Sequence, residues 1–325
     1  MNYRNIILSL LTIGLVIVGI IVTKTVKKQN NPLLTIGILQ TASHPALDAA
    51  REGFIDELNA HLDNIDYIIH NAQGSITTAH TIAERFHADD SIDAIYAIAT
   101  PALQAVASIE KEKPIFIAAV TDPHALGIIT KHTNICGTTD MVDIPGTIRG
   151  ITTLLPEVTT IALIYNPSET NSIAQINLME KELHRYNIAT VRVGVATEME
   201  IPQAVATALS KADALLTPTD NLIASAMPLV AHLAHQAHKP LIACHNQAVE
   251  QGALMARGVD YYESGKETGE IALAVLRDKK KPYNIPIRPT KSDTIVVNKH
   301  VIDELNITIA PISDTIIYIN SKQGN

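Results

Sequence analysis

Two stretches of this chain run through the same order of elements, and that repetition limits the possible folds more than any other feature. Compact β-branched runs bounded by Pro, Asn and Asp read as buried strands over 33–39, 66–70, 94–99 and 115–120. Helical patterns separate them over 46–62, over 77–86 and from 102 onward. The same succession returns, with strands over 160–164, 190–195, 213–216 and 241–244 and helices reaching Arg185, covering 201–209 and reaching His238. The parallels extend to dipeptides: Asp93-Ala94 is matched by Asp213-Ala214, and Lys113-Pro114 by Lys239-Pro240. Strands alternating with helices give a parallel sheet covered on both faces. The expected architecture is therefore α/β, with two similar parallel-sheet lobes.

The flanking segments differ from the repeat. Residues 6–23 form an uncharged apolar run of 18, preceded by Arg4 and followed by Lys24, Lys27 and Lys28. At ~1.5 Å per residue such a helix reaches about 27 Å, barely enough to cross a bilayer core. It reads as a signal peptide or an uncleaved anchor; with no clear small-x-small cleavage site, the anchor, a transmembrane helix, is favoured. The lysines behind it would by themselves place the bulk of the chain in the cytoplasm. Residues 24–32 form a short tether. Past Gln251 come a strand over 252–256, a helix over 264–276 and, within 285–309, a strand, a polar connection with Ile295-Val296-Val297 and a short helix over 301–305. This tail is too small for a third domain and is expected to cross back between the lobes as a multi-strand hinge. The expected division is an anchor and tether over 1–32, lobe 1 over 33–145 plus about 258–282, lobe 2 over 146–257 plus about 283–315, and a tail over 316–325.

Composition narrows the function. With 46% apolar and 18% charged residues the chain is globular, and its net charge of −8 excludes a nonspecific nucleic-acid binder. Cys136 and Cys244 lie too far apart for a metal or redox motif and are either free thiols or a disulfide. There is no nucleophile elbow, Walker loop or dinucleotide fingerprint, so neither an enzyme nor a cofactor is expected. His232, His235 and His238 recur on one helix as a solvated face, and His44 before Pro45 reads as a cap. Polar residues gather instead at the C-terminal ends of strands, where open α/β sheets place ligands. The first lobe offers Gln40, Ser43, Thr100, Thr121 and Asp122. The second offers Asn166, Ser168, Glu169, Asn171, Asp220, Asn221 and His245. Facing edges of this kind would close over a small zwitterion such as an amino acid. Asp220 or Glu169 would hold its ammonium; hydroxyls and helix-start N–H groups would hold its carboxylate.

These residues also resemble a known family. His44-Pro45-Ala46-Leu47-Asp48-Ala49-Ala50-Arg51-Glu52-Gly53-Phe54, with Gln40 before it, is similar to the first loop and helix of substrate-binding proteins of ABC transporters, in the tryptophan- and tyrosine-binding subgroup. The likeness continues through Ile98-Ala99-Thr100-Pro101-Ala102, Val120-Thr121-Asp122-Pro123, Tyr165-Asn166-Pro167-Ser168-Glu169, Pro218-Thr219-Asp220-Asn221 and Tyr261-Tyr262. The resemblance implies a type I periplasmic-binding-protein fold, an extracytoplasmic location, and a permease and an ATPase as partners. Binding roles carry over to Asn166, Ser168, Glu169 and Asp220, with Thr100 and Thr121 facing them. The chain has no lipid-attachment cysteine, no Trp and only three Phe, and His245-Asn246 departs from the family's commoner small or acidic residues. The other function open to such a module is ligand sensing through a partner protein, and a permease and ATPase encoded beside it would favour transport.

Overall fold

The chain is described by a computed structural model over residues 33–290, 294–308 and 315–321. The apolar run and tether over 1–32 lie outside them. Among the described residues no helix is long and apolar enough to cross a membrane.

In chain order the first half gives β1 (Leu34–Gln40), α1 (Pro45–Asn59), β2 (Ile65–Asn71), α2 (Ile76–Ala88), β3 (Ala94–Ile98), α3 (Thr100–Ile109), β4 (Ile115–Val120) and β5 (Ile135–Thr139). The second gives α4 (Ile144–Leu154), β6 (Thr160–Tyr165), α5 (Thr170–Arg185), β7 (Ala189–Gly194), α6 (Ile201–Leu209), β8 (Ala214–Leu216), α7 (Asn221–Ser225), α8 (Met227–Gln236), β9 (Leu241–His245), α9 (Gln247–Glu250) and β10 (Met255–Val259). The tail adds α10 (Tyr261–Leu276), β11 (Arg288–Pro289), β12 (Ile295–Asn298), α11 (Lys299–Glu304) and β13 (Ile316–Ile319).

Two sheets result. One runs β2-β1-β3-β4-β5-β11 and the other β7-β6-β8-β9-β10-β12-β13. The first five strands of each follow the doubly wound order 2-1-3-4-5, so the repetition in sequence is a repetition in topology. β10 and β12 pair antiparallel, whereas β1–β3, β3–β4, β4–β5, β5–β11, β6–β7, β6–β8, β8–β9, β9–β10 and β12–β13 are parallel. Both faces of each sheet are buried, as the strands' period of two shows. Ile36, Ile38, Tyr96 and Ile98 pack into one core, while Leu39, Ile95 and Ala97 pack into the core on the opposite face. In the second sheet Ile161, Leu163, Ala214 and Leu216 divide in the same way from Ala162, Ile164 and Leu215.

The matched dipeptides do the same work in both halves. Oδ2 of Asp93 accepts from Thr35 N at 2.8 Å, and Oδ2 of Asp213 accepts from Thr159 N and Thr160 N at 3.0 Å each. Ile95 N donates to Pro114 O and Leu215 N to Pro240 O, both at 2.9 Å. The chain passes between the sheets three times, from β5 to α4, from β10 to α10 and from β11 to β12.

The tail differs in detail from its sequence pattern. Its first strand starts at Met255, three residues later than the onset expected at Gly252, because Gly252 and Ala253 finish the turn after α9. The second-half helix expected to run unbroken to His238 is two helices, since Pro228 starts α8 afresh after Ala226. Arg288–Pro289 pairs with β5 of the first sheet, and β13, inside the segment expected as a tail, pairs with β12.

Helices α1 and α10 cover one face of the first sheet at unusually close range. A Cβ on Gly53 would overlap the carbonyl oxygen of Tyr262, and one on Gly265 that of Ala50. This contact fixes the loop before α1 relative to the second connection.

Candidate functional site

The site is built from the loops that leave the two sheets where their strand order reverses. In the first lobe Thr41 braces the loop after β1: its hydroxyl donates to Ile98 O at 3.0 Å and accepts from Ala102 N at 3.1 Å. His44 precedes Pro45, which starts α1 with its fixed φ. The imidazole makes no cap bond; it is buried, with Nε2 3.4 Å from Oδ1 of Asn221 in the second lobe. Ala99 and Ala119, at the ends of β3 and β4, hold φ of 77° and 57°. Such left-handed conformations cost on the order of 1 kcal/mol or more each and gather at functional sites.

In the second lobe two carboxylates lace two loops together. Asp220 caps α7 through Ile223 N at 3.0 Å, and its other oxygen accepts from Asn166 N at 2.6 Å and from the Ser172 hydroxyl at 2.7 Å. Glu169 reaches the opposite way, accepting from Asn221 N, Leu222 N, Asn221 Nδ2 and Asn171 Nδ2. Burial, and then the neighbouring Asp220, raise the Glu169 carboxyl to about 7; burial raises Asp220 as well.

The lobes touch directly. Gln175 Nε2 donates to Thr121 Oγ1 at 3.2 Å, Thr121 Oγ1 lies 3.4 Å from Thr219 Oγ1, and the His44–Asn221 pair completes the set. Thr121 in turn donates to Asp140 at 3.0 Å, and Tyr261 donates to the other oxygen of Asp140 at 2.6 Å. Burial raises the Asp140 carboxyl above the usual range.

Two spaces lie between the lobes. An outer cleft of about 450 Å³ is lined by Thr41, Ser43, Gln73 and Gln104 on one side and by Asn166, Ser168, Glu169 and Asn221 on the other. A small inner chamber of about 20 Å³ is walled by His44, Asp140 and Tyr261 from the first lobe and by Asn171, Asp220 and His245 from the second. Asn221 lines both. Among the described residues neither space is lined by a Lys or Arg, and no cluster of metal-ligating side chains is found.

The residues singled out from sequence therefore divide. Ser43, Asn166, Ser168, Glu169 and Asn221 reach the cleft; Asn171, Asp220, Asn221 and His245 reach the chamber. Thr121 bridges the lobes without lining either space. Gln40, Thr100 and Asp122 also line neither. Gln40 is held by Ala42 O, Asp48 and Arg51, Thr100 accepts from Thr121 N, and Asp122 accepts from Ala125 N. Sequence reasoning missed Asp140 and Gln175, did not single out Thr219 and Tyr261 from the motifs that hold them, and read His44 as a cap. Asp140 follows β5, which the sequence pattern did not place, and Tyr261 follows β10, whose expected end at Ala256 fell three residues short of its true end at Val259.

Two parallel-sheet lobes, three connections and a polar cleft at both switch points define a two-lobed solute-binding protein. Residues 35–316 match the family described as ABC transporter substrate binding protein. A tyrosine-binding protein of Clostridioides difficile (strain R20291) is 37% identical over 306 residues, 92% of this chain and 87% of its own length. A solved ABC domain in complex with L-Trp from Streptococcus pneumonia is 30% identical with a TM-score of 0.81, over 86% of this chain and 96% of that one. The ligand-free, open structure of a substrate-binding protein with adhesive properties from Clostridium difficile is 36% identical, but with a TM-score of 0.66 over 89% and 100%. The better superposition on the ligand-bound relative, despite lower identity, accords with the direct bonds between the lobes here. The chain belongs to the ABC transporter substrate-binding proteins. It is a solute-binding protein of type I periplasmic fold, not an enzyme, and its family delivers small molecules to ABC transporter components.

Proposed function

We propose that this protein is the extracytoplasmic receptor of an ABC importer and that its ligand is an amino acid with an aromatic side chain. The observation that carries the reading is the cleft itself. Its volume of about 450 Å³ suits a small organic ligand, and its walls come from the switch points of both sheets. Hydroxyls of Ser43, Ser168 and Ser225 and the amides of Gln73 and Gln104 offer donors to a carboxylate; Ile76, Pro101 and Leu222 offer apolar surface. The relatives that bind tyrosine and L-Trp support the aromatic class. Ligand stabilises the closed arrangement of the lobes, and the closed form is what a permease and its ATPase receive. The run over 6–23 anchors the chain in the membrane, which retention of the protein in alkali-washed membranes checks.

A thermal-shift screen of the full chain in detergent against the twenty amino acids and the nucleobases tests the reading. At a hundred times Kd a ligand adds about 2.7 kcal/mol, a shift of roughly 5–10 °C. L-tyrosine, L-tryptophan or L-phenylalanine is expected to give it. A shift confined to nucleobases or to aliphatic amino acids overturns the aromatic assignment.

A further inference from the structure

The inner chamber has a chemistry of its own. Its volume of about 20 Å³ admits one group the size of a water molecule. Three side chains in its wall end in buried polar atoms that bond to nothing in the protein: Nδ1 of His44, Oδ1 of Asn171 and both ring nitrogens of His245. These residues are only 7%, 6% and 3% exposed. A buried polar atom left unpaired costs about 1–3 kcal/mol, so four on the side chains that wall one small space call for partners there.

The sense of these atoms can be read from their neighbours. Asn221 donates its Nδ2 to Glu169, which turns its Oδ1 toward His44. The His44 proton therefore sits on Nε2, and Nδ1 is an acceptor. Asn171 donates its Nδ2 to Glu169 and to Thr219 O, leaving Oδ1 as an acceptor too. Burial lowers His44 to about 4 and, with His44 nearby, His245 to about 3. Both rings are neutral at ordinary pH, so His245 contributes one further acceptor and one N–H donor. Of the two carboxylates in the wall, Asp220 is committed to three donors of its own lobe, whereas the side chains that donate to Asp140 are the hydroxyls of Thr121 and Tyr261. A buried carboxylate is held charged by a cation, and no lining side chain supplies one. The chamber thus offers several acceptors, a buried carboxyl that an incoming cation would hold ionised, and room for one heavy atom.

We propose that the inner chamber is the socket for a primary ammonium of the ligand, with Asp140 as its counter-charge and His44, Asn171 and His245 as acceptors. The proposal rests on the amino-acid reading above and moves the counter-charge from Asp220 and Glu169, where strand-end chemistry placed it, to Asp140. Because Asp140 and His44 belong to the first lobe and Asn171 and His245 to the second, one ammonium bonds both lobes at once. The small volume also sets the ligand class: free primary amines enter, and N-acylated or trimethylated compounds do not.

Calorimetry on the full chain in detergent tests this with L-tyrosine and its desamino analogue, 3-(4-hydroxyphenyl)propionate. The wild-type protein is expected to bind the analogue about tenfold to hundredfold more weakly. Asp140→Asn should weaken L-tyrosine by a similar factor and leave the analogue's affinity nearly unchanged, a coupling that a purely structural role would not produce. His245→Leu, which fills the chamber with methyl groups, should show the same split and serves if Asp140→Asn does not fold. Equal affinity of the wild type for the two compounds, meaning a chamber that holds only water, overturns the socket while leaving the amino-acid reading intact. Equal losses for both compounds in the variants overturn it also. Binding of neither compound, nor of any other amino acid, overturns both readings together.

Discussion

Asp220 shows how a residue chosen for ligand chemistry can carry structure. It is 1% exposed, and its two oxygens hold Ile223 N, Asn166 N and the Ser172 hydroxyl. Asp220→Ala leaves those donors buried without an acceptor and removes the α7 cap. The expected cost is about 2–4 kcal/mol, read as a lower midpoint in urea for the ligand-free protein. An unchanged midpoint would show that the brace between the loops is dispensable. Asp220 was legible as important, because an Asp after a buried strand and before a helix is both a strand-end group and a cap. Which role it fills was not legible, since that depends on Asn166 and Ser172, reached only through the fold. Asp93 and Asp213 are the opposite case. Their shared Asp-Ala context announced equivalent roles, and each carboxylate bonds the first strand of its own lobe, Asp93 at Thr35 N and Asp213 at Thr160 N.

Among the elements, strands with long apolar runs and helices with clear starts were readable, and the repeat supplied their order. The short strand β5, Ile135–Thr139, was missed because Gly137, at φ 145°, interrupts its pattern and brings its backbone against Ile117. With β5 went Asp140, so part of the site was hidden by a weak element rather than by unusual chemistry. Packing of α1 on α10 was not readable either, since glycines inside helices usually signal weakness, and here they permit contact. Gly265→Val would drive a side chain into the Ala50 carbonyl. Overpacking of this kind costs about 1–3 kcal/mol and shifts α1, which carries His44 at its start. Thermal unfolding should show the loss, and L-tyrosine affinity should fall with it. If Gly265→Val retains both, the close approach is not what positions the first loop.

At the scale of the molecule the two sheets repeat one topology, and their contact is made by very few bonds. Gln175 is fully buried in the second lobe; it accepts from Thr219 N at 2.9 Å and donates to Thr121 of the first. Thr121 passes the contact to Asp140 and so to Tyr261, at the mouths of two of the three connections between lobes. Such a chain closes only when the lobes close, so its strength enters the open–closed balance directly. Weakening the closed state divides ligand affinity by the lost fraction of closed-competent molecules. Gln175→Leu keeps the bulk of the side chain and removes its bonds. The expected result is a lower transfer efficiency between dyes placed on the two lobes of the ligand-free protein. L-tyrosine affinity should fall about threefold to tenfold, within the range of one neutral hydrogen bond. Saturating ligand should restore the wild-type efficiency, because the ligand's own bonds across the cleft remain. If ligand-free efficiency and affinity both match the wild type, closure is governed by the hinge connections and not by this contact.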